Sequence, residues 1–145
     1  MNCVHISAFM KIYTGTKTIK ATPMTRGEYN ELRGWKVPDN EDPRDEGYLV
    51  EYPEGGKNVD GFDGYLSWSP KKLFEDTYKL SETHVDRMAI ELSELSDRIE
   101  KAQKFLDNAD PTIHSKKTLT MLSEQVKAMK EYHNILSKRI QAVYE

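Results

Sequence analysis

The sequence contains one cysteine, Cys3, in 145 residues. No intramolecular disulfide can form, and a four-cysteine zinc site is excluded. Cys3 has no local partner and is assigned no role. No apolar run approaches the roughly 18 residues that cross a bilayer, and Met1 to Phe9 is too short and too mixed for a signal peptide. Neither sign of charge dominates: 21 Lys and Arg stand against 24 Asp and Glu, a net charge of -3. A net-acidic chain without a large basic block is a poor candidate for a general DNA coater. Neither a nucleic acid nor a membrane is therefore expected as partner, and a reducing, cytosol-like compartment is. With 31% charged and 37% hydrophobic residues, the surface is largely charged and the core modest. One compact domain fits, or two small ones.

The signatures of catalysis are also missing. There is no phosphate-cradling glycine loop ending in Lys-Ser/Thr, no Gly-x-Gly-x-x-Gly after a strand and no His-Glu-x-x-His. The histidines His5, His84, His114 and His133 share no metal-ligand spacing. His133 falls on a helical seam, where a packed, hydrogen-bonded imidazole is the expected state. The acidic run Asp39, Glu41, Asp42, Asp45 and Glu46 lacks the alternating oxygens and central glycine of a calcium loop; a solvated loop is expected. No catalytic residue, metal or cofactor is expected.

Glycine and proline are absent from one half. All eight glycines precede residue 65, and Pro111 is the one proline after Pro70. The first half reads as a small α+β unit. Lys11 to Tyr13 and Lys17 to Ala21 are β-prone around a Thr14-Gly15-Thr16 turn. Thr25-Arg26-Gly27-Glu28 has capping-box spacing and opens a short helix through Leu32, closed at Gly34. After the polar loop 38–46, Gly47 to Tyr52 and Gly64 to Trp68 read as two antiparallel strands with a long connection. Ser69-Pro70 suggests a helix cap with proline at the first position. The helix that follows, through Tyr78, is expected to lay Leu73, Phe74 and Tyr78 on the sheet.

The second half is helical in pattern. Thr83 to Asp86 again has capping-box spacing. Val85, Met88, Leu92, Leu95, Ile99, Ala102 and Leu106 follow at alternating steps of three and four, a heptad seam. Asp107 to Thr112 breaks it. Leu119, Leu122, Val126, Met129, His133, Leu136, Ile140 and Val143 resume it. The expected fold class is thus α+β: a small antiparallel sheet domain over residues 10–78, then a long antiparallel helical hairpin over 83–145.

The second helix carries one row too many. Met121, Ala128, Tyr132, Ile135 and Ala142 lie one residue ahead of the seam, with Gln125 and Arg139 as polar members. One partner helix cannot cover both rows, so the second is expected to meet the N-terminal sheet, another subunit or both. From His114 to Glu145, six Lys or Arg face three acids. Most of these cations suit a solvated helix face. Arg139 differs, because an arginine within an apolar row calls for a carboxylate or a bidentate phosphate. Tyr132 adds an aromatic face on which a purine can stack; Phe105 reads as core or loop packing.

Several stretches carry a resemblance. Lys11 to Lys17, Met24 to Trp35, Glu46 to Tyr52 and Gly64 to Lys71 resemble an N-terminal module of bacteriophage proteins, joined there to immune-evasion domains. His84-Val-Asp-Arg-Met88, Leu95, Ile99, Lys104-Phe-Leu106, Gln125, Ala128-Met129, Tyr132 and Ile135 to Ile140 resemble the hairpin domain of phage anti-Thoeris and anti-CBASS sponge proteins. The resemblance implies capture without cleavage: such proteins sequester cyclic di- or trinucleotides or glycocyclic ADP-ribose, so that the host effector stays inactive. It implies assembly through the hairpins, commonly as hexamers, with pockets between subunits, in the cytoplasm of the bacterial host. It carries over Arg87, Tyr132, Arg139 and, from the same motif, Lys138 as ligand-binding residues. Many relatives have a lysine in the first hairpin helix where this chain has Leu92. That change weakens the expectation of a cyclic dinucleotide and leaves a cyclic ADP-ribose isomer open. The alternatives are a coiled-coil assembly protein without a small ligand, or a nuclease or phosphodiesterase that destroys the same signals.

Overall fold

A computed structural model describes residues 9–145; Cys3 and His5 lie outside the described residues. The architecture is α+β. The chain divides into two compact units, Met1–Tyr78 and Lys79–Glu145.

The first unit is a three-stranded antiparallel sheet in the order β1 (Lys20–Pro23), β2 (Gly47–Tyr52), β3 (Tyr65–Pro70). Residues 11–19 form no strand, contrary to the expected hairpin around Gly15. Pairing with β2 decides where β1 lies: Lys20 sits opposite Glu51 and Pro23 opposite Tyr48, so the strand starts later than local propensity suggested. Helix α1 (Arg26–Arg33) begins at the expected capping box, with Thr25 and Glu28 each accepting the other's backbone N–H, and closes on Gly34 in the left-handed region (φ 67°). The loop 38–46 docks on its first turn. There the N–H groups of Arg26 and Gly27 donate to the carbonyls of Asp45 and Pro43 at 2.9 Å. Two carboxylates of that loop are paired across the unit: Glu41 takes Arg26 bidentately (2.7 and 2.9 Å), and Glu46 takes Lys71 (3.0 Å).

Alternation sorts the sheet into two faces. Leu49 and Leu66 bury with Tyr29 of α1, joined by Met24, Val59, Phe62 and Trp68. On the other face, Phe74 of α2 (Lys71–Thr77) stacks on Tyr48 at 4.0 Å between centroids, and Tyr48 donates to Glu75. The boundary between β3 and α2 departs from expectation. The strand runs on through Ser69 and Pro70, and Pro70 is the helix cap without a side-chain hydrogen bond. The register explains it, since Ser69 is opposite Tyr48 and Pro70 opposite Gly47. Leu73 is left exposed instead of on the sheet.

The second unit is a hairpin of α3 (His84–Asn108) and α4 (Lys116–Gln141). Thr83 and Asp86 form the expected capping box of α3. Ser115, which the sequence pattern had not marked, caps α4 by accepting from the Thr118 N–H. The seam is the core: Met88, Leu95, Val126 and Leu136 are buried, and Leu92, Ile99, Leu122, Met129 and Ile140 are half-buried between them. His133 takes its expected place as a packed imidazole. Its Nε2 lies 2.8 Å from the Ser96 hydroxyl, which itself donates to the Leu92 carbonyl. Phe105 packs edge-on against His114. No helix among the described residues is long and apolar enough to cross a membrane.

Candidate functional site

The second row of α4 lies open. Met121 is 59% exposed and Ile135 58%, and Gln125, Ala128, Tyr132, Arg139 and Ala142 are exposed with them. Within this unit the partner helix therefore covers one row only. The cause is geometric: residues seven apart share a face, and α3 presents a single apolar seam.

Two of the four expected ligand residues, Tyr132 and Arg139, share that face, and a third, Arg87, stands on α3. Tyr132 of α4 donates its hydroxyl to Glu91 of α3. Arg87 stands one turn before Glu91, and Arg139 two turns after Tyr132; in an antiparallel hairpin both displacements run toward the same end. The hydrogen bond to Glu91 is the largest cause that holds the Tyr132 hydroxyl above its ordinary pKa of 10.0, and the positive charge of Arg139 opposes it. The arginine is thus close enough to act on the phenol electrostatically. Among the described residues no carboxylate comes within 4.0 Å of Arg139. Of the two partners that the sequence allowed, a carboxylate within this chain's described residues is thereby ruled out. Arg87 is partly engaged, since its Nη1 donates to the carbonyls of Glu82 (3.2 Å) and Ser81 (3.5 Å) ahead of the helix.

Lys138 is elsewhere. It follows Asn134 by one turn and Glu131 by two, facing away from the seam and from Tyr132. Asn134 and Glu131 line a shallow groove of about 440 Å³ with Gln103, Ser123, Lys127 and Lys130. Lys130 crosses the hairpin there to Gln103 at 2.9 Å. Leu92 is half-buried in the seam.

Glu91 is the residue that sequence reasoning missed. The signal was its place one residue ahead of the seam on α3, a flanking position of the kind that carries interhelical polar pairs. Which residue it would meet depended on the stagger of two helices, which no local pattern encodes. Among the described residues no three His, Cys, Asp or Glu converge to hold a metal ion.

Residues 82–142 match the family model described as Sequestin. The match spans less than half of the chain and begins one residue before the α3 cap. No curated protein and no solved structure matches the chain.

Proposed function

We propose that this protein captures an anionic cyclic nucleotide signal and withholds it, unchanged, from a host immune effector. The observation that carries the reading is Arg139: a cation without a carboxylate partner among the described residues, set in an exposed apolar row beside Tyr132. The hairpin's likeness to a family whose name denotes sequestration supports capture over conversion. The ligand class is a cyclic di- or trinucleotide or glycocyclic ADP-ribose, in the host cytoplasm. Arg139 and Arg87 take its phosphates as charge-assisted hydrogen bonds, and Tyr132 stacks a base. Capture needs affinity and no turnover, so the absence of catalytic motifs from the sequence fits it.

One hairpin face cannot keep water from these contacts. A second protomer laid over the row of Met121, Tyr132 and Ile135 buries the apolar surface and raises the worth of every charged contact beneath it. A closed assembly, a hexamer by resemblance, follows from that requirement. Nanomolar capture needs about -12 kcal/mol, which a few dry, pre-organised contacts reach. The test is to mix the protein with a panel of cyclic nucleotides and cyclic ADP-ribose isomers, denature it and identify what is released. Intact ligand supports capture; degraded ligand points to an enzyme; no ligand at all leaves a coiled-coil assembly module, which the exposed row equally suits. Arg139→Ala is expected to keep the oligomer and to weaken binding at least tenfold by calorimetry. Unchanged affinity would remove Arg139 from the site.

A further inference from the structure

The carboxylate of Glu91 has one oxygen committed and one open. Its Oε1 accepts from Tyr132. Among the described residues Glu91 enters no ion pair within 4.0 Å, not even with Arg87 one turn away. The residue is exposed, on the same face as the uncovered row of α4. An open carboxylate acceptor beside an aromatic ring is stable while water reaches it. Once a ligand or a second copy covers the face, that acceptor must find a donor or carry the cost of an unmet charge.

We infer that Glu91 determines specificity: its free oxygen accepts from an N–H or O–H edge of the ligand and turns the phosphates toward Arg87 and Arg139. The inference rests on the capture reading above and names which part of the ligand goes where. Both arginines lie on one side of Glu91 along the hairpin, by one turn and by two. At a pitch of about 5.4 Å the farther one stands roughly 10 Å away, a distance that one nucleotide spans from base edge to phosphate. A phosphate placed at the tyrosine would face the carboxylate and be repelled. A base stacked on Tyr132 meets it edge-on. Guanine offers N–H donors on that edge and adenine an acceptor at the corresponding ring nitrogen, so the carboxylate favours guanine. A ribose hydroxyl is the other donor of this chemistry.

Glu91→Gln separates these roles. The amide keeps an acceptor for Tyr132, but the charge is lost and one acceptor position becomes an N–H donor. Binding is measured by calorimetry on the intact protein, with cyclic diguanylate, cyclic diadenylate, their 2′-deoxy forms, a cyclic trinucleotide, glycocyclic ADP-ribose and inorganic pyrophosphate. The variant is expected to lose at least tenfold for whichever cyclic ligand the wild type binds, and to gain affinity for pyrophosphate. A loss confined to guanine ligands identifies the base edge as donor. A loss shared by both bases and missing from the 2′-deoxy forms identifies the sugar. Wild-type affinities throughout in Glu91→Gln overturn the inference and leave capture standing. A wild type that binds none of the cyclic ligands overturns both.

Discussion

The two halves of this chain treat their cations differently. In the first unit, arginines are consumed by their own surroundings. Arg26 is held bidentately by Glu41 and lies 5.0 Å from the centre of the Trp68 ring. Arg33 rests 4.1 Å over Trp35 and donates to the Tyr29 hydroxyl. In the hairpin, Arg139 has no carboxylate among the described residues, and α3 leaves the apolar row around it uncovered. A unit that satisfies its charges internally gains stability and offers little to a partner. A unit that leaves a cation and an apolar row open gives up some of that stability and keeps something to bind with.

The comparison breaks most sharply at Gly64. A β-carbon there would fall on the Tyr52 carbonyl oxygen and within 2.9 Å of Pro53 Cα. Both are backbone and cannot swing aside. Gly64→Ala is expected to unfold the first unit while the hairpin stays helical. The readout is clean, because both tryptophans, Trp35 and Trp68, lie in the first unit: their native fluorescence should vanish while most of the helical circular dichroism remains. Simultaneous loss of both signals would show that the units fold as one.

Leu136→Ala tests the reverse. Leu136 is fully buried in the hairpin seam, and truncation there costs about 2–5 kcal/mol. The helical signal should melt earlier, with the tryptophan transition unmoved. Smaller effects come from the two capping boxes, one in each half. Thr83→Ala and Thr25→Ala should each cost about 1 kcal/mol, the first seen in the helical melt and the second in the tryptophan melt.

The smallest effect is in acid. Asp86 is held below the ordinary carboxylate value of 3.8, first by its backbone hydrogen bond at Thr83; Asp42 is held low first by its side-chain bond to Arg44. A depressed native pKa means that the stabilisation is complete above the unfolded value and fades as pH falls below about 4 and through the native pKa. Both transitions should therefore soften in that window. In Asp86→Asn the acid dependence of the hairpin should shrink while that of the tryptophan transition stays.

What the sequence disclosed was what short-range chemistry determines. Both capping boxes were legible because the partners are three residues apart. The seam from Val85 to Leu106 was legible because one helix repeats it, and the surplus row on α4 because its residues outnumber what one partner can cover. The strand at Lys20–Pro23 was displaced from its local signal because β1 exists only against β2. Ser69 looked like a cap because Pro follows it, but its backbone had already been claimed by the ladder opposite Tyr48. Glu91 and Tyr132, 41 positions apart, met through helix stagger. Arg139 stood out because a charge in an apolar row breaks a pattern; Glu91 sat on a polar face and broke none.

Asn58 has a consequence of another kind. Its side chain accepts from the Leu66 N–H at 2.7 Å and donates to the Leu66 carbonyl at 2.9 Å, so it fills the outward-facing peptide groups of β3 as a neighbouring strand would. The alternation of the ladder turns Trp68 and Pro70 outward on that margin, and Ala21 and Pro23 on the margin of β1. Proline offers no donor. Neither border thus presents two successive vacant N–H groups to a foreign chain, and this sheet is a poor template for runaway fibre growth. The closed assembly proposed for the hairpins would thereby be spared competition from the open-ended kind of polymer.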